Sequence, residues 1–285
     1  MNTKTCVVTD SHSSITQEEA VRLGITVIPA PFFVDGKLFY EGVTLSRADF
    51  FAKQDAGAEI HTSQPSVTEV TGTWDSALSV YDEVLYIPMS SGLSGSCNTA
   101  KMLSEDEQYK GRVFVVDNGR ISTPLHCSIL DALKLIEAGK SAAEIKELLE
   151  RYREDQVVYI AIDDISHLKK GGRLTSRAQK VAGILNIKPI VIIDSGPIEL
   201  YSKPRGMKRA KLEMFEAIKK ALPEYGNCYL MTATSADEEE NEAFINEVKE
   251  AFPGMEVMSD YLSLGTCCHV GKGCLGVGIC RKIEA

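Results

Sequence analysis

The sequence predicts an α/β protein of two domains, the first mainly a parallel sheet with helices on both faces. Three observations lead there. Short apolar, β-favouring runs alternate with helix-forming stretches through the first half of the chain. Capping-box patterns at Thr16–Glu19, Ser66–Glu69 and Ser141–Glu144 mark helix starts. The alternation then begins afresh at Gln156, which sets a boundary near Asp155 between residues 1–155 and a second α/β domain, 156–285.

The elements follow in order. Thr5–Thr9 reads as a buried strand with the polar run Asp10-Ser11-His12-Ser13-Ser14 at its carboxyl end. A helix opens at Thr16 and runs to Leu23, and Ile25–Ile28 is the second strand. Asp35-Gly36, between Phe32–Val34 and Lys37–Tyr40, is a hairpin signal. Ser46–Lys53 is a short amphipathic helix, and a loop over Ala56–Pro65 carries His61-Thr62-Ser63-Gln64-Pro65 to the helix capped at Ser66. Val84–Ile87 is a strand that Pro88 stops by removing a donor. The turn Ser90-Ser91-Gly92-Leu93-Ser94-Gly95 leads into a helix over Ser96–Leu103. Arg112–Val116 is a strand ending at Asp117, followed by helices around His126–Glu137 and Ser141–Glu154, with Gly139 as the stop between them.

In the second half, Val157–Ile162 is a strand and Ile165–Lys170 a short helix. Lys188–Ile193 and Ile198–Tyr201 pair across Asp194-Ser195-Gly196-Pro197. Lys208–Ala221 is a helix, Cys228–Ala233 a strand, and Asp237–Phe252 a helix whose acidic run is a solvated face. Glu256–Met258 and Cys274–Ile279 are the last strands, on either side of a glycine-rich loop, Leu264–Gly273, that holds His269.

Composition narrows the function classes. With a net charge of −9 over 285 residues, the chain lacks the basic face that nucleic acid requires, and charge alone would not dock it on anionic membrane. No run approaches the ~20 apolar residues of a membrane span. The first residues show no signal-peptide pattern, so a cytoplasmic chain is expected. Eight cysteines are too dilute for a disulfide scaffold.

Ligands of parallel α/β sheets bind beyond the carboxyl ends of the strands. Asp10-Ser11, Thr62-Ser63 and Ser90–Ser96 all fall at such ends or beside helix starts. The serine turn is a cup of backbone N–H groups at a helix start, which favours an anion, with Ser90, Ser91 and Ser94 as hydroxyl donors. Its plainer reading is a strand-to-helix junction capped by serine. His269 is either a structural histidine or a donor or base for an anionic ligand. Cys267, Cys268, His269 and Cys274 do not make a zinc site, because three are consecutive and no CxxC pair accompanies them. A serine hydrolase using Ser94 and His269 is one alternative, with Asp10 or Asp117 as the acid, although Gly92-Leu93-Ser94-Gly95-Ser96 lacks the last glycine of GxSxG. A binding module for another small anion is a second. The run Lys169-Lys170-Gly171-Gly172-Arg173 is basic but lacks Walker spacing, and no GxGxxG follows the first strand.

Taken in order, Thr9-Asp10-Ser11, Thr62-Ser63-Gln64-Pro65-Ser66, Ser90–Gly95, the KGGRLTS run from Lys170 to Ser176, Lys188-Pro189 and His269-Val270-Gly271 span nearly the whole chain. The set resembles the DegV family, whose members include the fatty-acid-binding subunits of bacterial fatty acid kinase. The resemblance implies two α/β domains with one long-chain fatty acid in a tunnel between them. It places the carboxylate on Thr62, Ser94 and His269, with Ser91 as the fallback for Ser94. Arg173 is implied near the head group and toward the partner, and Ser63 and Ser91 are further candidates for a head-group or partner contact. The implied partner is a separate ATP-dependent kinase subunit that phosphorylates the presented carboxylate. This chain is then a lipid-presenting subunit with no nucleotide site, no catalytic residue, no metal and no cofactor other than its bound fatty acid, and transient membrane contact stays open. Cys267-Cys268 and Lys272 depart from the family's usual residues beside the histidine. Burying some fourteen methylenes at about 0.8 kcal/mol each would give about 10 kcal/mol before the costs of binding, which suits a carrier.

Overall fold

The computed structural model describes residues 3–172 and 186–284. The chain forms two compact units, Met1–Glu154 with Ile283–Ala285, and Asp155–Lys282.

In the first unit, β1 (Thr5–Asp10), β2 (Thr26–Ile28), β6 (Glu83–Ile87) and β7 (Val113–Val115) make an all-parallel sheet in the order β2-β1-β6-β7. Burial on both faces explains its apolar runs: Val7, Val8, Val84, Leu85 and Ile87 are all at most 2% exposed. One face packs on α5 (Ser122–Glu137) and α6 (Ala142–Arg151), with Leu125, Ile129, Leu135 and Ile145 in its core. The other packs on α3 (Val67–Leu78) and α4 (Ser96–Ser104), where Trp74 stands edge-on to Tyr86 and Tyr109 with ring centroids 5.7 and 5.2 Å away.

A small antiparallel sheet adjoins α3. Its strands are β3 (Pro31–Val34), β4 (Lys37–Tyr40) and β5 (Ile60–Thr62), in the order β4-β3-β5. Asp35 and Gly36 both take positive φ (50° and 75°), as a two-residue hairpin with right-handed twist requires. Tyr40 donates from its hydroxyl to Glu69 at 2.7 Å, and Glu69 also closes the capping box with Ser66. The hairpin is thereby latched to the start of α3. The segment expected as a loop over Ala56–Pro65 contains β5 instead. Three residues are too short to show strand alternation, and their partner β3 lies far away in sequence, Phe32 facing Thr62 and Phe33 facing His61.

Among the described residues of the second unit, one six-stranded sheet runs in the order β10-β9-β8-β13-β11-β12. Its members are β8 (Gln156–Ala161), β9 (Ile190–Ile193), β10 (Glu199–Ser202), β11 (Cys228–Thr234), β12 (Val257–Tyr261) and β13 (Leu275–Arg281). All pairs are antiparallel except β11 with β12. The helices α8 (Met207–Tyr225) and α9 (Glu238–Ala251) pack Met214, Phe215, Ile218, Phe244 and Val248 against it. Among the described residues, the remaining α-helices are α1 (Gln17–Leu23), α2 (Arg47–Asp55), α7 (Ser166–Gly171) and α10 (Leu264–Val270). The glycine-rich loop expected at Leu264–Gly273 is therefore largely helical. Ser263 caps it by accepting from the N–H of Thr266 at 3.2 Å, and Gly271 ends it at φ 77°. No helix among the described residues is long and apolar enough to cross a membrane.

Candidate functional site

The carboxyl ends of β1, β6 and β7 carry Asp10, the serine turn and Asp117. Asp10 is buried, and its two carboxyl oxygens accept from the N–H groups of His12 and Met89, both at 3.0 Å. Burial raises the Asp10 pKa, partly offset by His12, while burial pushes His12 down. Met89 opens the serine turn, so Asp10 fixes its first residue. The next residue, Ser90, is fully buried and donates its N–H to the carbonyl of Arg120 at 2.8 Å. The turn then folds on Ser90: its carbonyl accepts from the N–H groups of Leu93 and Ser94, both at 3.1 Å, and its hydroxyl from Gly92, also at 3.1 Å.

Ser91 and Ser94, the two candidates within the turn, differ in their partners. Ser91 is committed inward: its hydroxyl donates to Asp117 Oδ2 at 2.6 Å and its N–H to Oδ1 at 3.2 Å. Among the described residues, the Ser94 hydroxyl bonds locally, accepting from the N–H of Ser96 at 3.2 Å and donating to the Ser96 hydroxyl at 3.0 Å. A hydroxyl that donates to another hydroxyl can be turned to a ligand carboxylate, which is the stronger acceptor. Gly95, at the start of α4, offers no side-chain cap, and the Ser94 hydroxyl takes the first N–H of the helix, that of Ser96.

Asp117 binds more than Ser91. Lys101 of α4 and Arg153 reach Oδ2 at 3.0 and 2.9 Å, and the Asp117 N–H donates to Glu150 at 3.0 Å. Burial opposes ionisation here, but the bonds from Ser91, Lys101 and Arg153 outweigh it and hold the carboxyl well below the usual range. Sequence reasoning considered Asp117 only as a hydrolase acid; with Ser91, Lys101 and Arg153 on it, it is a structural anchor. Ser94 also lacks the positive φ of a strained nucleophile elbow.

Thr62 ends β5 on the sheet face it shares with Phe32, and Phe32 is fully buried. Ser63 is exposed and donates its N–H to the carbonyl of Pro31 at 3.2 Å. Gln64, two residues on from Thr62, touches the serine turn's helix: its Oε1 accepts from the Thr99 hydroxyl at 3.4 Å and would lie 3.8 Å from a Cβ on Gly95. The segment His61–Pro65 and the start of α4 are thus neighbours, and Gln64 is the link that sequence spacing did not single out.

In the second unit, His269 lies in the last turn of α10 and is half-buried. The His167 ring of α7 packs on Gly271, which follows that turn. Cys267 and Cys274 turn their thiols to the carbonyls of Leu262 and Val270, at 3.5 and 3.1 Å. No group of three or more metal-ligating side chains occurs among the described residues. Lys170 and Gly171 of the KGGRLTS run end α7, while Arg173 and the residues after it in the run lie outside the described residues.

The first unit is thus an α/β domain that gathers hydroxyls and a helix start beyond the carboxyl edge of a parallel sheet, and it is joined to a second, mostly antiparallel α/β unit. The family model "Uncharacterised protein, DegV family" matches residues 4–282, and the chain belongs to the DegV family. A DegV domain-containing protein of Deinococcus radiodurans is 29% identical over 96% of this chain and 97% of its own length. The structure is similar to that of a fatty-acid-binding DegV family protein from Thermus thermophilus, with a TM-score of 0.89 and 28% identity, covering 98% of this chain and 99% of that one. It is also similar to DegV, a fatty acid binding protein from Bacillus subtilis, with a TM-score of 0.86 and 27% identity, covering 98% of this chain and all of that one.

Proposed function

We propose that this protein binds a long-chain fatty acid and presents the carboxylate to a separate ATP-dependent kinase in the cytoplasm. Thr62, Ser94 and His269 hold the carboxylate. Arg173 and Ser63 serve the head group or the partner. The chain itself carries no catalytic residue and takes no nucleotide. The observation that carries the reading is the likeness, over nearly the full length of both chains, to DegV proteins that bind fatty acids. The local geometry supports it: a helix start with glycine at its N-cap and a redirectable hydroxyl suit a carboxylate, which must find donors when its tail is buried.

Lipid extraction of the purified protein followed by mass spectrometry tests the binding step. A co-purifying fatty acid, or saturable binding after delipidation, is the expected result; neither being found would sink the proposal. The presenting step is tested by adding a fatty acid kinase and ATP. Acyl phosphate should form only when all components are present, and an Arg173→Ala protein should require more kinase to reach the same rate.

A further inference from the structure

We propose that Asp117 is a positioning residue for the serine turn, holding Ser91 and α4 in place so that Ser94 Oγ is already in position when a carboxylate arrives and its hydroxyl has only to turn from Ser96. The inference rests on the reading of Ser94 as a carboxylate donor. A turn rich in serine and glycine has many accessible conformations, and ordering it on binding would subtract from affinity. This turn is ordered beforehand on both flanks by one carboxylate. On its entry side, Ser91 gives Asp117 two hydrogen bonds, at 2.6 and 3.2 Å. On its exit side, Lys101 of α4 reaches the same carboxylate at 3.0 Å. Ser94 lies between these two anchors.

Asp117 is itself immobilised. Arg153 reaches its side chain at 2.9 Å and its carbonyl at 3.1 Å, and Glu150 accepts its N–H at 3.0 Å. Lys146 joins Glu150 at 2.7 Å and the carbonyl of Val115 at 2.5 Å, so the end of β7 is tied to α6. An acid placed here only to neutralise a lysine would have no need of both Ser91 donors.

The test compares palmitic acid with cetyl alcohol, which has the same chain length and no carboxylate, by equilibrium binding to the full chain. The variants are Asp117→Asn, Ser91→Ala, Ser91→Thr and Ser94→Ala. Asp117→Asn and Ser91→Ala should each lower the preference for acid over alcohol about five- to tenfold, with alcohol affinity unchanged. Ser91→Thr, which retains the hydroxyl, should keep the wild-type preference. If Asp117→Asn does not fold, Ser91→Ala decides the matter. Equal weakening of both ligands would mark a merely structural role and overturn the proposal. So would a wild-type preference in Asp117→Asn and Ser91→Ala while Ser94→Ala loses it, and the carboxylate cradle would then stand alone. A wild-type preference in Ser94→Ala would remove the cradle reading and the positioning role together.

Discussion

The ring of His167 occupies the place where a side chain on Gly271 would stand: a Cβ built there would lie 2.5 Å from His167 Cδ2. Gly271 closes α10 at φ 77° and ψ −171°, a backbone region essentially confined to glycine. Two independent constraints therefore exclude a side chain directly after the turn that carries His269. They also couple α7, which leads toward the KGGRLTS run, to the end of α10.

Gly271→Ala is expected to destabilise the protein by about 2–4 kcal/mol, from backbone strain plus overpacking. Adding His167→Ala should recover the overpacking share and leave the strain. Denaturant unfolding of the two single variants and the double variant measures this. Simple additivity would show that the contact carries no energy.

Ser94→Ala, Thr62→Ala and His269→Ala should each weaken fatty-acid binding about tenfold, the order expected for one hydrogen bond to a charged group. Tail binding should persist, because apolar burial supplies most of the affinity. On the proposed reading, acyl-phosphate formation with a fatty acid kinase should fall further than binding, since it would depend on the head group being aimed. Normal turnover in all three would place the carboxylate elsewhere.

Much of this architecture could be read from residues close together in sequence. The boxes at Ser66 and Ser141 form with both halves in place, whereas the box expected at Thr16 forms only its first half: Thr16 accepts from the N–H of Glu19, and the Glu19 carboxylate lies 3.8 Å from His126 Nε2. The Asp35-Gly36 hairpin and the strand-end placement of Asp10 and Asp117 are equally local readings. Features that depend on distant partners were not legible. Apolar periodicity carries no strand direction, so the antiparallel pairing of β13 with β8 and β11 was invisible. The strand β5 exists because β3 lies beside it, and α10 was obscured by Gly265 and Gly271 at its two ends. The anchoring of Ser91 joins residues 26 positions apart, a relation that no motif encodes.

The cap at Ser141 offers a test of local energetics away from the candidate site. Its hydroxyl accepts from the N–H of Glu144 at 3.3 Å, while the Glu144 carboxylate takes the N–H of Ser141 at 2.9 Å. Ser141→Ala should cost about 1 kcal/mol of stability and leave fatty-acid affinity unchanged. A drop in affinity at constant stability would show that α6 reports to the ligand.

Asp117 should leave a mark on acid unfolding. Its folded pKa is depressed, so its contribution to stability is fully present above the unfolded aspartate value of about 4 and is lost as pH falls below that toward the folded value. Over that window the unfolded chain binds a proton that the folded chain refuses, and unfolding free energy declines with falling pH. Asp117→Asn removes this titration, so its stability curve should be flatter below about pH 4 and lie under the wild-type curve near neutrality. Urea unfolding at a series of pH values measures both slopes. Parallel curves would mean that Ser91, Lys101 and Arg153 do not favour the ionised carboxyl.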